Sequence, residues 1–253
     1  MAASVEQPAF RYADGFKTSG PRKKRTGKLV LQHTSSELYD SSLQELRTGN
    51  WLQECHRLTR DAVKEASIDS PSVLCLGLGC PASSRNARSQ LAFLIETRDN
   101  LFLDRDKVAA YDPAFTAEDV ALLAQLSSKD LSIETPTLLF MPHCDMGLYE
   151  ALLRDNWSSE RLCSLFLIGN LFSDYLVNKP SNKMATQFPC LTRLTPYLLA
   201  RPLPSGGPNP TAFVSLAIQF VAPQALPPRT DTTFWELPSQ SDVAGESNKG
   251  CFI

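Results

Sequence analysis

The stretch Val73-Leu74-Cys75-Leu76-Gly77-Leu78-Gly79 constrains the fold of this chain more than any other. Apolar up to its glycines, with no polar alternation, it reads as a strand buried on both faces, as in a parallel sheet covered by helices on either side. The glycines close it in a tight turn, and Cys80-Pro81-Ala82-Ser83-Ser84-Arg85-Asn86-Ala87-Arg88 continues as loop and helix start. Glycine at such a junction lets the backbone come close to something. That something is either a ligand on the amides of the following helix or the helix itself, packed tightly on the sheet.

The same unit recurs downstream. A helix over 84–101 would carry Ala87, Leu91, Leu94 and Ile95 on one face. A short strand over 107–111 stops at Asp112-Pro113, because proline cannot continue a ladder. Thr116 to Asp119 matches a capping box that starts a helix to about 126, and 137–141 is a third apolar strand stopped by Pro142. A helix over 147–156 and a strand over 165–168, ended by Gly169-Asn170, complete the alternation. This order predicts an α/β fold: a three-layer, doubly wound, mostly parallel sheet of Rossmann-like type with flexible termini.

Ahead of this alternation, Thr34 with Glu37 forms a second capping box, and Leu43, Leu46, Leu52, Cys55, Leu58, Ala62 and Ala66 recur at helical spacing. Gly49-Asn50 divides this region into two helices. In the last third, helices are expected over 172–177 and 184–199, the latter interrupted by Pro189 and Pro196, with a loop over 203–210. A late strand over 213–221 alternates Phe213, Ser215, Ala217 and Gln219 with apolar neighbours, which places one polar face outward and the strand towards an edge. Tyr149 and Trp157 read as packing residues. The domain is expected over 34–238, between a disordered basic tail (1–33) and a flexible tail (239–253).

The 253 residues suit one core, and a net charge of -2 argues against capture of nucleic acid or of an acidic membrane. No apolar run approaches the roughly 20 residues of a membrane span. The odd number of cysteines (55, 75, 80, 144, 163, 190 and 251), most of them in apolar runs, reads as reduced intracellular thiols. A cytoplasmic and nuclear location is expected. Pro21-Arg22-Lys23-Lys24-Arg25 is either a nuclear import address or a solvated charge run.

The conspicuous polar residues all follow strand ends. In an open α/β sheet these ends share one edge, so Gly77, Gly79, Ser83, Ser84, Arg88, Asp112, His143, Cys144 and Asn170 are the expected ligand-binding residues. Asp112 stands where cofactor-binding folds place an acid for ribose hydroxyls. Arg85 and Arg88, cations in a first helical turn, would bind an anion with the helix amides, pair with Asp112 and Asp145, or lie solvent-exposed at trivial cost. His143-Cys144-Asp145 has no paired Cys-x-x-Cys or His-x-x-x-His spacing, so no metal site is expected and no catalytic residue is assigned. Cys80-Pro81 matches a heme-ligating dipeptide, a pairing that 7 cysteines and 18 prolines readily produce by chance. No cofactor is assigned.

Three blocks resemble the SRR-like domain family, named for sensitivity to red light reduced. They are Leu76-Gly77-Leu78-Gly79 with Ser84, Ala87-Arg88 and Gln90 to Leu94; Tyr111-Asp112-Pro113-Ala114-Phe115-Thr116; and Pro136 to Cys144 with Leu148-Tyr149, Leu152-Leu153, Asn156-Trp157-Ser158, Ile168-Gly169-Asn170 and Phe172. The resemblance covers roughly 70–175, with a looser echo in Ile218-Gln219-Phe220 and Phe234-Trp235. It implies a regulatory protein, linked to circadian clock input, control of heme biosynthesis and, in fungi, microtubule-related phenotypes, with no assigned reaction. Between Leu126 and Thr137 the chain is shorter than relatives, which carry an extra strand there. The protein is thus expected to act through a protein partner or small ligand, with no direct nucleic-acid binding. The alternative is a nucleotide- or S-adenosylmethionine-dependent transferase using the glycine loop and Asp112, with Pro142-His143-Cys144 on the acceptor side.

Overall fold

Among the described residues, six strands form one sheet: β1 (Ser72–Leu76), β2 (Val108–Tyr111), β3 (Thr137–Met141), β4 (Leu165–Asn170), β5 (Leu198–Pro202) and β6 (Leu216–Val221). Their spatial order is β2-β1-β3-β4-β6-β5. The computed structural model describes residues 33–113, 115–117, 119, 135–222 and 224–238. β2, β1, β3 and β4 run parallel, whereas β6 is antiparallel to both its neighbours. The sheet is therefore mixed but mostly parallel.

The helices are α1 (Ser35–Arg47), α2 (Trp51–Glu65), α3 (Arg85–Asn100), α4 (Met146–Asp155), α5 (Ser159–Cys163), α6 (Phe172–Asn178), α7 (Ser181–Gln187), α8 (Pro189–Leu194), α9 (Pro210–Phe213) and α10 (Thr232–Trp235). Their starts follow local chemistry. Thr34 and Glu37 make both bonds of a capping box at α1, Ser84 accepts from Ala87 N–H at α3, and Asp145 accepts from Leu148 N–H at α4. Because strand side chains alternate, the uniformly apolar strands feed two cores. Val73, Cys75, Leu138 and Phe140 pack under α1, α2, α3 and α9, while Leu74, Leu139 and Met141 pack under α4 to α8 and α10. Tyr149 lies fully buried in the second core, and Trp157 stacks on Phe234. These are the three expected layers.

The C-terminal third departs from the sequence reading. The helix expected over 184–199 is three elements: α7, α8 with Pro189 at its first turn, and a 3-10 turn at Thr195–Tyr197 containing Pro196. Each proline lacks the N–H that a continuous helix needs. Leu198 and Leu199 belong instead to the edge strand β5. The strand expected over 213–221 begins only at Leu216, since Phe213 ends α9 and Ser215 takes φ +57. It is not an edge strand with a polar face: β6 lies between β4 and β5 and is buried throughout. Gln219, 1% exposed, keeps its amide inside by donating to Asn170 O (2.9 Å) and accepting from Phe172 N–H (3.0 Å). Pairing with β6 also extends β4 through Gly169 and Asn170, which were expected to end it.

No disulfide joins the six described cysteines. No described helix is long and apolar enough to cross a membrane. The expected tails, the basic run at 21–25, most of the helix expected to 126 and most of the segment before Thr137 that was expected to be shortened lie outside the described residues.

Candidate functional site

The chain order reverses between β1 and β3: from β1 it crosses to β2 on one side and returns to β3 on the other. At such a switch point the connections leave on opposite faces and open a crevice beyond the carboxyl ends of the strands. The loops that follow β1, β2, β3 and β4 all lie on this rim.

The glycine loop is one half of it. Gly77 and Gly79 take φ +66 and +76, left-handed backbone that favours glycine. Gly77 has a second reason to lack a side chain, because a Cβ there would stand 2.4 Å from the Cys144 Sγ. Gly79 N–H donates to the Asp112 carboxylate (2.8 Å), which ties the end of β1 to the end of β2. Three residues on, Ala82 N–H donates to the Asp119 carboxylate (2.7 Å), whose other oxygen accepts from the amide and hydroxyl of Thr116 (2.9 and 2.7 Å). Asp119 N–H returns a bond to the Thr116 hydroxyl (3.2 Å), the reciprocal pair anticipated for a capping box. Burial pushes the Asp119 pKa up, but hydrogen bonds from Ala82, Thr116 and the Cys80 thiol outweigh it and hold the carboxyl below its usual range.

The turn after β3 is the other half. His143 takes φ +54, and Asn170 from the end of β4 holds it there. The Asn170 Oδ1 accepts from His143 N–H (2.9 Å), while Nδ2 donates to Cys144 O (3.0 Å) and to the Tyr175 hydroxyl (2.6 Å). The Asn170 N–H donates to the Tyr149 hydroxyl (3.0 Å), which in turn donates to Met141 O. The imidazole leaves this cluster, with its Nε2 3.1 Å from Ala212 O on α9.

The nine expected residues therefore meet along one rim but do different work. Cys144 is buried against Gly77 and donates to Leu76 O (3.3 Å); burial, with Asp145 and Asp112 nearby, pushes its thiol up to about 12. With the His143 ring turned to Ala212, the two are not a nucleophile–base pair. Ser84 caps α3, and the Ser83 and Ser84 amides donate to Cys80 O (3.2 and 2.8 Å). Arg88 folds back onto its own loop, donating to Pro81 O (2.8 Å) and Ala82 O (3.2 Å), and Arg85 pairs with Glu45 of α1 (2.9 Å). The Cys80 thiol is hydrogen-bonded to Asp119, and burial together with that carboxylate raises its pKa, which disfavours thiolate ligation of a heme. Among the described residues no cluster of three or more histidines, cysteines and carboxylates is arranged to hold a metal.

Asp119, Tyr175 and Gln219 are central to the rim and were not among the expected residues. Asp119 was legible only as a helix cap, while the bonds of Tyr175 and Gln219 depend on where β4 and β6 meet.

A family model for the SRR1 domain matches residues 35–220. An SRR1-like protein of Mus musculus is 37% identical over 116 residues, 42% of this chain and 47% of that protein. Protein SENSITIVITY TO RED LIGHT REDUCED 1 of Arabidopsis thaliana is 34% identical over 107 residues, 39% of each chain. An SRR1-like protein of Drosophila melanogaster is 29% identical over 177 residues, 64% of this chain and 59% of that protein. The matches thus span from about two-fifths to three-fifths of these relatives' own length. No solved structure matches significantly. Since the family model runs from the start of α1 into β6 and takes in every strand end on the rim, the chain belongs to the SRR1 domain family.

Proposed function

We propose that this SRR1-domain chain is a regulatory protein that works by receiving a small ligand, or through it a protein partner, at the strand-end rim. Red-light sensitivity names its plant relative, and circadian clock input and control of heme biosynthesis are the outputs the family resemblance implies. The observation that carries the reading is convergence: four parallel strands deliver Gly79, Asp112, His143 and Asn170 to one edge at a switch point. A cytoplasmic and nuclear distribution accompanies it, tested by comparing fluorescent fusions with and without alanine at Arg22 to Arg25.

The strand plan favours a second reading. An antiparallel strand inserted next to the last strand of a doubly wound sheet is also the plan of S-adenosylmethionine-dependent methyltransferases, here with one parallel edge strand fewer among the described residues. That is a likeness of fold, and it bears on ligand class before reaction.

A thermal-shift panel of S-adenosylmethionine, nicotinamide nucleotides, nucleoside phosphates and hemin tests both. A ligand at a hundred times its Kd stabilises by about 2.7 kcal/mol, and that shift should disappear in Gly79→Val and Asp112→Ala. Methyl transfer to a substrate would make the transferase reading primary. Silence across the panel would remove the ligand from the proposal.

A further inference from the structure

A glycine loop that binds phosphate leaves its amides pointing at the ligand. This loop does not. The amides of Gly79, Ala82, Ser83 and Ser84 each already donate within the protein, and two of them donate to carboxylates, Asp112 and Asp119. Where a phosphate would place its charge, the protein has placed its own.

The surrounding charges agree. Arg85, the cation nearest the loop in sequence, is paired with Glu45 (2.9 Å), and Arg88 turns its Nη1 back onto Pro81 O and Ala82 O (2.8 and 3.2 Å). Asp112 follows β2, and its carboxylate reaches over the end of β1 to accept from Gly79 N–H (2.8 Å). A carboxylate offers about four acceptor sites on two oxygens, a geometry suited to the two neighbouring hydroxyls of a ribose. Beside it, Tyr111 is 56% exposed at the same strand end, an aromatic surface next to an acid.

Resting on the reading of the rim as a ligand site, we infer that it takes a non-phosphorylated nucleoside with a free ribose diol, neutral or cationic as in S-adenosyl compounds, and rejects nucleotides. Asp112 receives the diol, and the carboxylates braced on the loop repel phosphate.

Titration calorimetry on the full chain with adenosine, S-adenosylmethionine, S-adenosylhomocysteine, AMP, ATP and NAD tests this at low and high salt. The expected result is heat from one or more of the first three. AMP, ATP and NAD should bind at least about 30-fold more weakly, with a gap that narrows as salt screens the carboxylates. Asp112→Asn, which keeps the shape and loses the charge, should weaken nucleoside binding about tenfold and shrink the discrimination against ATP. ATP or NAD binding as tightly as adenosine compounds would overturn the inference and leave the rim a ligand site. Absence of binding by all six in the folded wild-type chain would overturn this inference, and the same silence from hemin would take the ligand-site reading with it.

Discussion

The two turns that face each other on the rim are braced in opposite ways. The glycine loop is held by charges, Asp112 on Gly79 and Asp119 on Ala82, whereas the His143 turn is held by a neutral amide, Asn170, backed by the hydroxyls of Tyr149 and Tyr175. They meet where Cys144 packs against Gly77 and bonds Leu76 O. A charged brace sets the field a ligand meets and answers to pH and salt. A neutral brace fixes backbone shape and answers to neither. The rim therefore separates electrostatic selection, on the β1 and β2 side, from geometric definition, on the β3 and β4 side.

The largest expected effect comes from breaking the contact between them. Gly77→Ala places a Cβ on the Cys144 sulfur in left-handed backbone, and should cost roughly 3 kcal/mol or more in urea denaturation. Adding Cys144→Ala, which removes that sulfur, should return part of the loss, with a coupling above about 0.5 kcal/mol. Strict additivity would mean the turns are not in mechanical contact. Next is the neutral brace: Asn170→Ala leaves His143 N–H, Cys144 O and the Tyr175 hydroxyl without this partner, for roughly 2–3 kcal/mol. That cost should be the same at pH 4 and pH 8.

The charged brace should behave differently. Asp119→Asn should cost roughly 1–2 kcal/mol near neutral pH, the scale of bonds to a charged acceptor partly replaced by neutral ones. Because the folded carboxyl titrates below its ordinary value near 3.8, its contribution is complete above that pH and is lost as pH falls through the lower folded value. Wild type and variant should thus converge in acid, and a gap that persisted would give the loop a different brace.

The smallest effect lies away from the rim and sets its background. His56 on α2 has a buried Nε2 without a partner, and burial, reinforced by Arg60 and opposed by Glu96, lowers its pKa. An unfolded histidine takes up a proton near pH 6.5 while this one resists, so stability is intact above that pH and erodes below it. His56→Leu should flatten that slope by a few tenths of a kcal/mol, the ring being only half-buried and screened by solvent. An unchanged slope would assign the acid sensitivity elsewhere.

Much of the rim was legible before any coordinates. Uniformly apolar runs imposed parallel strands, capping boxes were readable at Thr34 with Glu37 and at Thr116 with Asp119, and strand ends on a common edge gathered Gly79, Asp112, His143 and Asn170. What each side chain does there was not legible. Arg85 and Arg88 could be read as an anion site, as partners of Asp112 and Asp145 or as solvent-exposed, whereas Glu45 and the loop carbonyls take them, because a guanidinium takes whichever acceptors the fold brings within reach. Cys144 beside His143 drew attention as a ligand-site residue, and burial against Gly77 silences its thiol.

The sequence by itself determined the α/β alternation, the caps and the positions that must be glycine, since these depend on periodicity and local backbone chemistry. Only the tertiary structure decided that β6 runs antiparallel between β4 and β5, that Leu198 and Leu199 form an edge strand, and that Gln219 turns inward to bond Asn170 and Phe172. The reason is pairing: a strand's neighbours, and with them the burial and partners of its polar side chains, are set by segments distant in the chain, which local pattern does not encode.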